Sequence, residues 1–282
     1  TMEKITVPGC WQVQGYGNMH YSDLWYNFPI NPPYVPTENP TGIYKREFYL
    51  DQTFEDKKVI LRFCGVDSAY NVWVNGEEVG YSKGARNEAE FDITDMIRIG
   101  KTNDLTVRVY QWSDGTYLED QDMWWMSGIF RDVEILGVPH NGIRDFKIIA
   151  DLKSDNKTGL FEFHSKFQFP DDQEVQIELF DAQGNRIFNE KVLAEKGEAQ
   201  LKVSLESVQA WSAEIPYLYK LLVTVSKKGQ VLEVIPHNVG FRNIHVEGEV
   251  FLVNGVAIKL KGMNRHDYNP KNGRVVSKEE IE

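Results

Sequence analysis

Four carboxylates and two tryptophans crowd one fifteen-residue stretch, Ser113–Ser127: Asp114, Glu119, Asp120 and Asp122, then Met123-Trp124-Trp125-Met126. A carboxylate accepts hydrogen bonds from sugar hydroxyls, and an indole face stacks on the C–H face of a pyranose. The same acids suit a hard cation that takes oxygen ligands. A solvated acidic loop above a tryptophan-lined core would share this composition. The stretch separates two convincing strands, and its length makes function or disorder the default reading. A second candidate is Asn31–Gly42, NPPYVPTENPTG, whose four prolines each fix φ and push the preceding residue to extended geometry. Such a loop is stiff and presents Asn31, Glu38 and Asn39, or else is a rigid edge connection with no ligand. The third is Asn264-Arg265-His266-Asp267, with His266 just past a strand expected over Ile258–Asn264. If that strand opens a parallel barrel, its C-terminal end is where catalytic groups stand.

Positioning these groups requires β structure. Val59, Leu61 and Phe63 alternate with Ile60, Arg62 and Cys64; Tyr70, Val72 and Val74 alternate with Asn71, Trp73 and Asn75. Asn75-Gly76 signals a two-residue hairpin. Leu105, Val107 and Val109 repeat the pattern, and Gly128–Leu136 adds a strand. Residues 1–138 therefore read as a sandwich or jelly roll. After Gly137-Val138-Pro139 a second series begins: Val175, Ile177 and Leu179, the turn Asp181–Asn185, Leu201, Val203 and Leu205, then Tyr219, Leu221, Val223 and Val225. Residues 139–241 fit an immunoglobulin-like sandwich acting as scaffold. Residues 242–282 hold a hairpin at Asn254-Gly255, the strand, a turn at Asn269-Pro270 and a capping box at Ser277–Glu280, the order of a starting α/β barrel. That helix has no room to bury a face, so the chain is expected to be a piece of a longer protein.

Composition excludes some partners. A net charge of −11 argues against nucleic acid. No apolar run approaches the ~20 residues of a membrane span. Two cysteines, Cys10 and Cys64, are too few for a disulfide framework or a zinc site. Low cysteine use points to the cytoplasm, with the periplasm as the alternative.

NPPYVPTENPTG (Asn31–Gly42), SDGTYLEDQDMWWMSGIFRD (Ser113–Asp132) and GMNRHDYNP (Gly262–Pro270) together resemble the β-galactosidases of glycoside hydrolase family 2. WSAEIPYLY (Trp211–Tyr219) and VGFR (Val239–Arg242) are similar to that family too. The resemblance implies a mainly β fold: a jelly-roll sugar-binding domain, an immunoglobulin-like sandwich and the truncated start of a catalytic (β/α)₈ barrel. It implies a retaining hydrolase of terminal β-D-galactosides, working through a nucleophile and an acid/base glutamate about 5 Å apart. Both glutamates and the main magnesium ligands would lie beyond this sequence, so the fragment itself is expected to be inactive. By similarity, Asn31 and Asp122 reach the galactose subsite, Asp122 also ligates sodium, and His266 contacts sugar hydroxyls near the transition state. The parent is expected to be a homo-oligomer using magnesium and sodium.

Two departures stand out. Trp125 occupies a position where some relatives carry a basic residue, and is expected to alter the edge of the subsite. The chain also begins close to the family's first shared motif, so early jelly-roll strands are expected to be missing. Two other readings remain: a stand-alone carbohydrate-binding module using Asp122 and Trp124, and a β-glucuronidase or β-mannosidase of the same family. A glucuronide carboxylate calls for a basic group, whereas the loop is acidic. The apolar face of Val256, Ile258 and Leu260 lacks partners, so the tail is expected to be poorly ordered, to pack on the second sandwich, or to pair with another chain.

Overall fold

The structure, a computed structural model, describes residues 3–22, 24–119, 121–169 and 172–281. It divides into two compact units: Thr1–Val138 with Asn264–Glu282, and Pro139–Met263.

The first unit is a jelly-roll-type sandwich. Its strands are β1 (Thr41–Tyr49), β2 (Lys57–Phe63), β3 (Val66–Asp67), β4 (Ala69–Val74), β5 (Glu77–Lys83), β6 (Ala89–Asp92), β7 (Thr102–Tyr110), β8 (Gly128–Ile129) and β9 (Val133–Pro139). One antiparallel sheet runs β1-β7-β4-β5 and another β6-β2-β9, with β3 and β8 paired beside them. Alternation on the strands fills the space between the sheets: Val59, Leu61 and Phe63 meet Tyr70, Val72, Val74, Val107 and Val109 in one apolar cluster. Burying a side chain of this kind stabilises by about 1.5–3 kcal/mol. Asn75 and Gly76 both have positive φ, 51° and 85°, as the tight turn between β4 and β5 requires.

The second unit contains β10 (Ile143–Leu152), β11 (Gly159–Phe167), β12 (Gln173–Phe180), β13 (Arg186–Leu193), β14 (Glu198–Leu205), β15 (Tyr219–Lys227) and β16 (Gln230–Val239). Sheets β10-β11-β14 and β13-β12-β15-β16 form an immunoglobulin-like sandwich around Phe161, Phe163, Val175, Ile177, Leu179, Leu221 and Val223. Tyr219, at the start of β15, accepts a hydrogen bond from the Gln209 N–H at 2.8 Å, a tyrosine corner that ties the β14–β15 connection to the sheet. WSAEIPYLY and VGFR meet here. Trp211 N–H donates to the Phe241 carbonyl at 2.8 Å, and Arg242 lies over the Trp211 ring at 4.6 Å. A Cβ on Gly240 would fall 3.2 Å from three Trp211 atoms, so that close approach suits glycine.

Strands β17 (Ile244–Glu247), β18 (Val250–Val253) and β19 (Val256–Ala257) form a small sheet with the Asn254-Gly255 turn the sequence predicts. The strand expected over Ile258–Asn264 does not form: Ile258 N–H still donates to the Phe251 carbonyl at 3.1 Å, but the residues after it take no regular structure and are exposed, Leu260 at 84% and Met263 at 88%. A parallel strand is stabilised by neighbours on both sides, and among the described residues none pairs with 259–264. The turn at Asn269 and the capping box are present, with Ser277 N–H donating to Glu280 Oε2 at 2.8 Å and Glu280 N–H to Ser277 Oγ at 3.3 Å. They lead into a single turn of helix, α1 (Lys278–Ile281). The expectation for the tail is corrected in one respect. Asn264–Glu282 belongs with the first unit, where Tyr268 and Val275 pack on Cys10, Ala85, Met126 and Phe130.

Candidate functional site

The two candidate loops of the first unit are built onto each other through one phenol. Tyr117, on a short 3₁₀ turn at Asp114–Tyr117, accepts a hydrogen bond from Asn31 N–H at 3.2 Å and donates to the Tyr34 carbonyl at 2.7 Å. Ser113 and Thr116 cap that turn reciprocally. Tyr26 donates to the Tyr117 carbonyl at 2.8 Å. Beneath lies an aromatic cluster: Phe28 meets Trp112 and Tyr117 edge-on at 5.1 and 5.7 Å, and Trp125 meets Trp112 and Tyr26 at 5.5 and 5.9 Å.

The candidate residues separate by role. Asn31 is exposed, its backbone is bound, and its side-chain amide meets no partner among the described residues. Asp122 is exposed and accepts from the Tyr21 hydroxyl. The Tyr21 ring lies 5.7 Å from Trp124, which is 39% exposed, so carboxylate, phenol and indole form one polar–aromatic surface. His266 is exposed in the extended tail segment of the same unit, beside the Arg265–Asp267 ion pair at 2.8 Å. Among the described residues no hydrogen bond or ring contact joins His266 to Asn31 or Asp122. Asp120 lies outside the described residues.

Asn39 and Trp125 depart from expectation. Asn39 is not presented to solvent: its amide donates to the Trp112 carbonyl at 2.8 Å and accepts from the Trp112 N–H at 2.9 Å, replacing a strand partner at the end of β7. Trp125 is buried within the aromatic cluster, where its indole N–H donates to the Ser22 carbonyl, and does not form the rim of a subsite.

Asp114 and Glu119 are held by contacts within the unit. Asp114 pairs with Lys83 at 2.5 Å, which holds its carboxyl below the usual range. Glu119 turns inward to accept from Ala85 N–H at 2.7 Å, and burial pushes its carboxyl up. Nearby, Asp67 is ion-paired with Arg274. Burial, followed by repulsion from Arg274, lowers the proton affinity of Arg86. Among the described residues no group of three or more His, Cys, Asp or Glu could hold a metal. Asp122 alone does not make a cation site; sodium there would need oxygens from elsewhere. Among the described residues no helix is long and apolar enough to cross a membrane.

Three profiles of one family tile the chain. Residues 1–139 match "Glycosyl hydrolases family 2, sugar binding domain", residues 141–242 "Glycosyl hydrolases family 2", and residues 244–282 "Glycosyl hydrolases family 2, TIM barrel domain". The chain belongs to glycoside hydrolase family 2. It is 40% identical to a beta-galactosidase of Psychromonas ingrahamii over 98% of its length, and 37% identical to one of Pseudoalteromonas haloplanktis over 98%. It spans only 28% and 27% of those relatives. The beta-glucuronidase of Bifidobacterium dentium shares the fold, with a TM-score of 0.77 at 20% identity over 97% of this chain and 48% of that one.

Tyr21, Tyr117 and Arg274 escaped the reading of the sequence. The aromatic run Tyr21 to Phe28 was the available signal for the first. Arg274 bonds to Asp67 from 207 positions away, and no local pattern announces that.

Proposed function

We propose that this chain supplies the sugar-binding wall and the scaffold of a retaining β-galactosidase acting on terminal non-reducing β-D-galactose residues. The observation that carries the proposal is the exposed Asp122–Tyr21–Trp124 surface, a hydroxyl-accepting carboxylate next to a stacking ring. The relatives at 37–40% identity, which are beta-galactosidases, support the choice of sugar. In this reading Asn31 and Asp122 bind galactose hydroxyls, and His266 contributes once the tail segment is placed. The covalent and proton-transfer steps fall to two glutamates outside this sequence. Sodium would take Asp122 as one of its oxygen ligands, and magnesium would be held outside this chain. The parent works as a homo-oligomer in the cytoplasm; the free thiols of Cys10 and Cys64 fit a reducing compartment.

Titration calorimetry of the chain with galactose, glucuronate and glucose tests the assignment. No measurable binding by the chain alone is the expected result for a half-site that lacks its barrel, and measurable millimolar galactose binding would favour the stand-alone module. Selective binding of glucuronate would overturn the choice of sugar.

A further inference from the structure

We propose that Arg274 is a positioning residue for the candidate sugar site: a buried guanidinium that fixes the Asp122–Trp124 loop from below. The Arg274 side chain is 9% exposed and that of its partner Asp67 15%. From this anchor Nη2 donates to the Trp124 carbonyl at 3.0 Å and Nη1 to the Met126 carbonyl at 3.3 Å, bracketing Trp125. A planar fork can serve a carboxylate and two carbonyls at once; an ammonium on a flexible stem cannot match that geometry.

The loop needs such an anchor. Residues 121–124 belong to no strand, and the next backbone bond is Trp125 N–H to the His20 carbonyl at 2.8 Å. Arg274 reaches the loop because Gly273 lies flush against it. A Cβ on Gly273 would stand 2.5 Å from Met126 Sδ, and its φ of +65° is strained for other residues. Asp67, Glu119, Trp125 and Arg274 also line a cavity of about 20 Å³, room for a single water. Among the described residues Arg274 Nε and Glu119 Oε2 are both buried without partners.

The inference rests on reading this loop as a sugar site, but its test needs no sugar. Amide hydrogen exchange is measured on the 282-residue chain carrying Arg274→Lys, Arg274→Met or the charge-neutral pair Asp67→Asn/Arg274→Met. In the neutral pair, the Trp125 and Ser127 amides should exchange about tenfold faster while Val72 and Val107 in the core keep their protection. Arg274→Lys should recover the unfolding midpoint by pairing with Asp67, yet leave the two loop amides fast. Unchanged protection at both loop amides would overturn the proposal, as would equal acceleration of loop and core. If neither Arg274→Met nor the neutral pair folds, Arg274→Lys decides: full loop protection refutes, faster loop exchange supports. Loop exchange that changes as expected in a chain that binds glucuronate selectively would defeat the functional reading and leave the positioning role standing.

Discussion

Asn39 illustrates how a polar side chain in a candidate loop can belong to the framework. Its amide gives the Trp112 backbone both a donor and an acceptor. Asn39→Ala would leave those two groups unpaired, at a cost of about 2 kcal/mol after partial hydration. Six of the seven tryptophans lie in the first unit, so tryptophan fluorescence should show the urea midpoint falling by that free energy divided by the m-value, on the order of 1 M. Glu119 poses the opposite case. Its folded-state pKa is raised by burial, so the native state binds a proton more readily than the unfolded chain. The first unit should therefore gain stability as pH falls through that raised value toward the ordinary carboxylate range, and carry the penalty above it. Glu119→Gln can keep the acceptor for Ala85 N–H while removing the charge. It should flatten that part of the pH profile and leave the variant at least as stable at neutral pH, as read from urea midpoints across pH 4–8.

Strands were legible where one face is buried, because burial imposes a period of two. Val59, Leu61 and Phe63 on β2 and Val175, Ile177 and Leu179 on β12 declared themselves for that reason. Turns with two positive-φ residues, such as Asn254-Gly255, were legible through glycine's freedom. The Ile258–Asn264 segment misled because its apolar pattern describes what it would bury, and pairing depends on neighbours the pattern does not name. Long-range ties were invisible: Tyr117 to Tyr34 spans 83 positions, and only the folded chain puts them together. The tyrosine corner is another. Tyr219→Phe would leave the Gln209 N–H without its acceptor and should cost about 1–2 kcal/mol. Calorimetric unfolding should show that loss in the second unit's transition alone.

At the scale of the molecule, the proposed function puts a sugar-facing surface in one unit, a scaffold in the other and the catalytic glutamates in neither. The purified chain should therefore show no turnover of a chromogenic β-galactoside, however high the enzyme concentration. Turnover that disappears on heating and survives further purification would contradict the division of labour proposed here.

Met263, 88% exposed, invites a chemical probe. Thioethers oxidise according to how freely peroxide reaches the sulfur. Among the described methionines, brief treatment should convert Met263 to its sulfoxide first, with Met19 behind it and Met126, 2% exposed beneath Gly273, the last. A mass of one added oxygen on that peptide would then serve as a reporter: any protein that seats itself over the extended segment should slow the labelling.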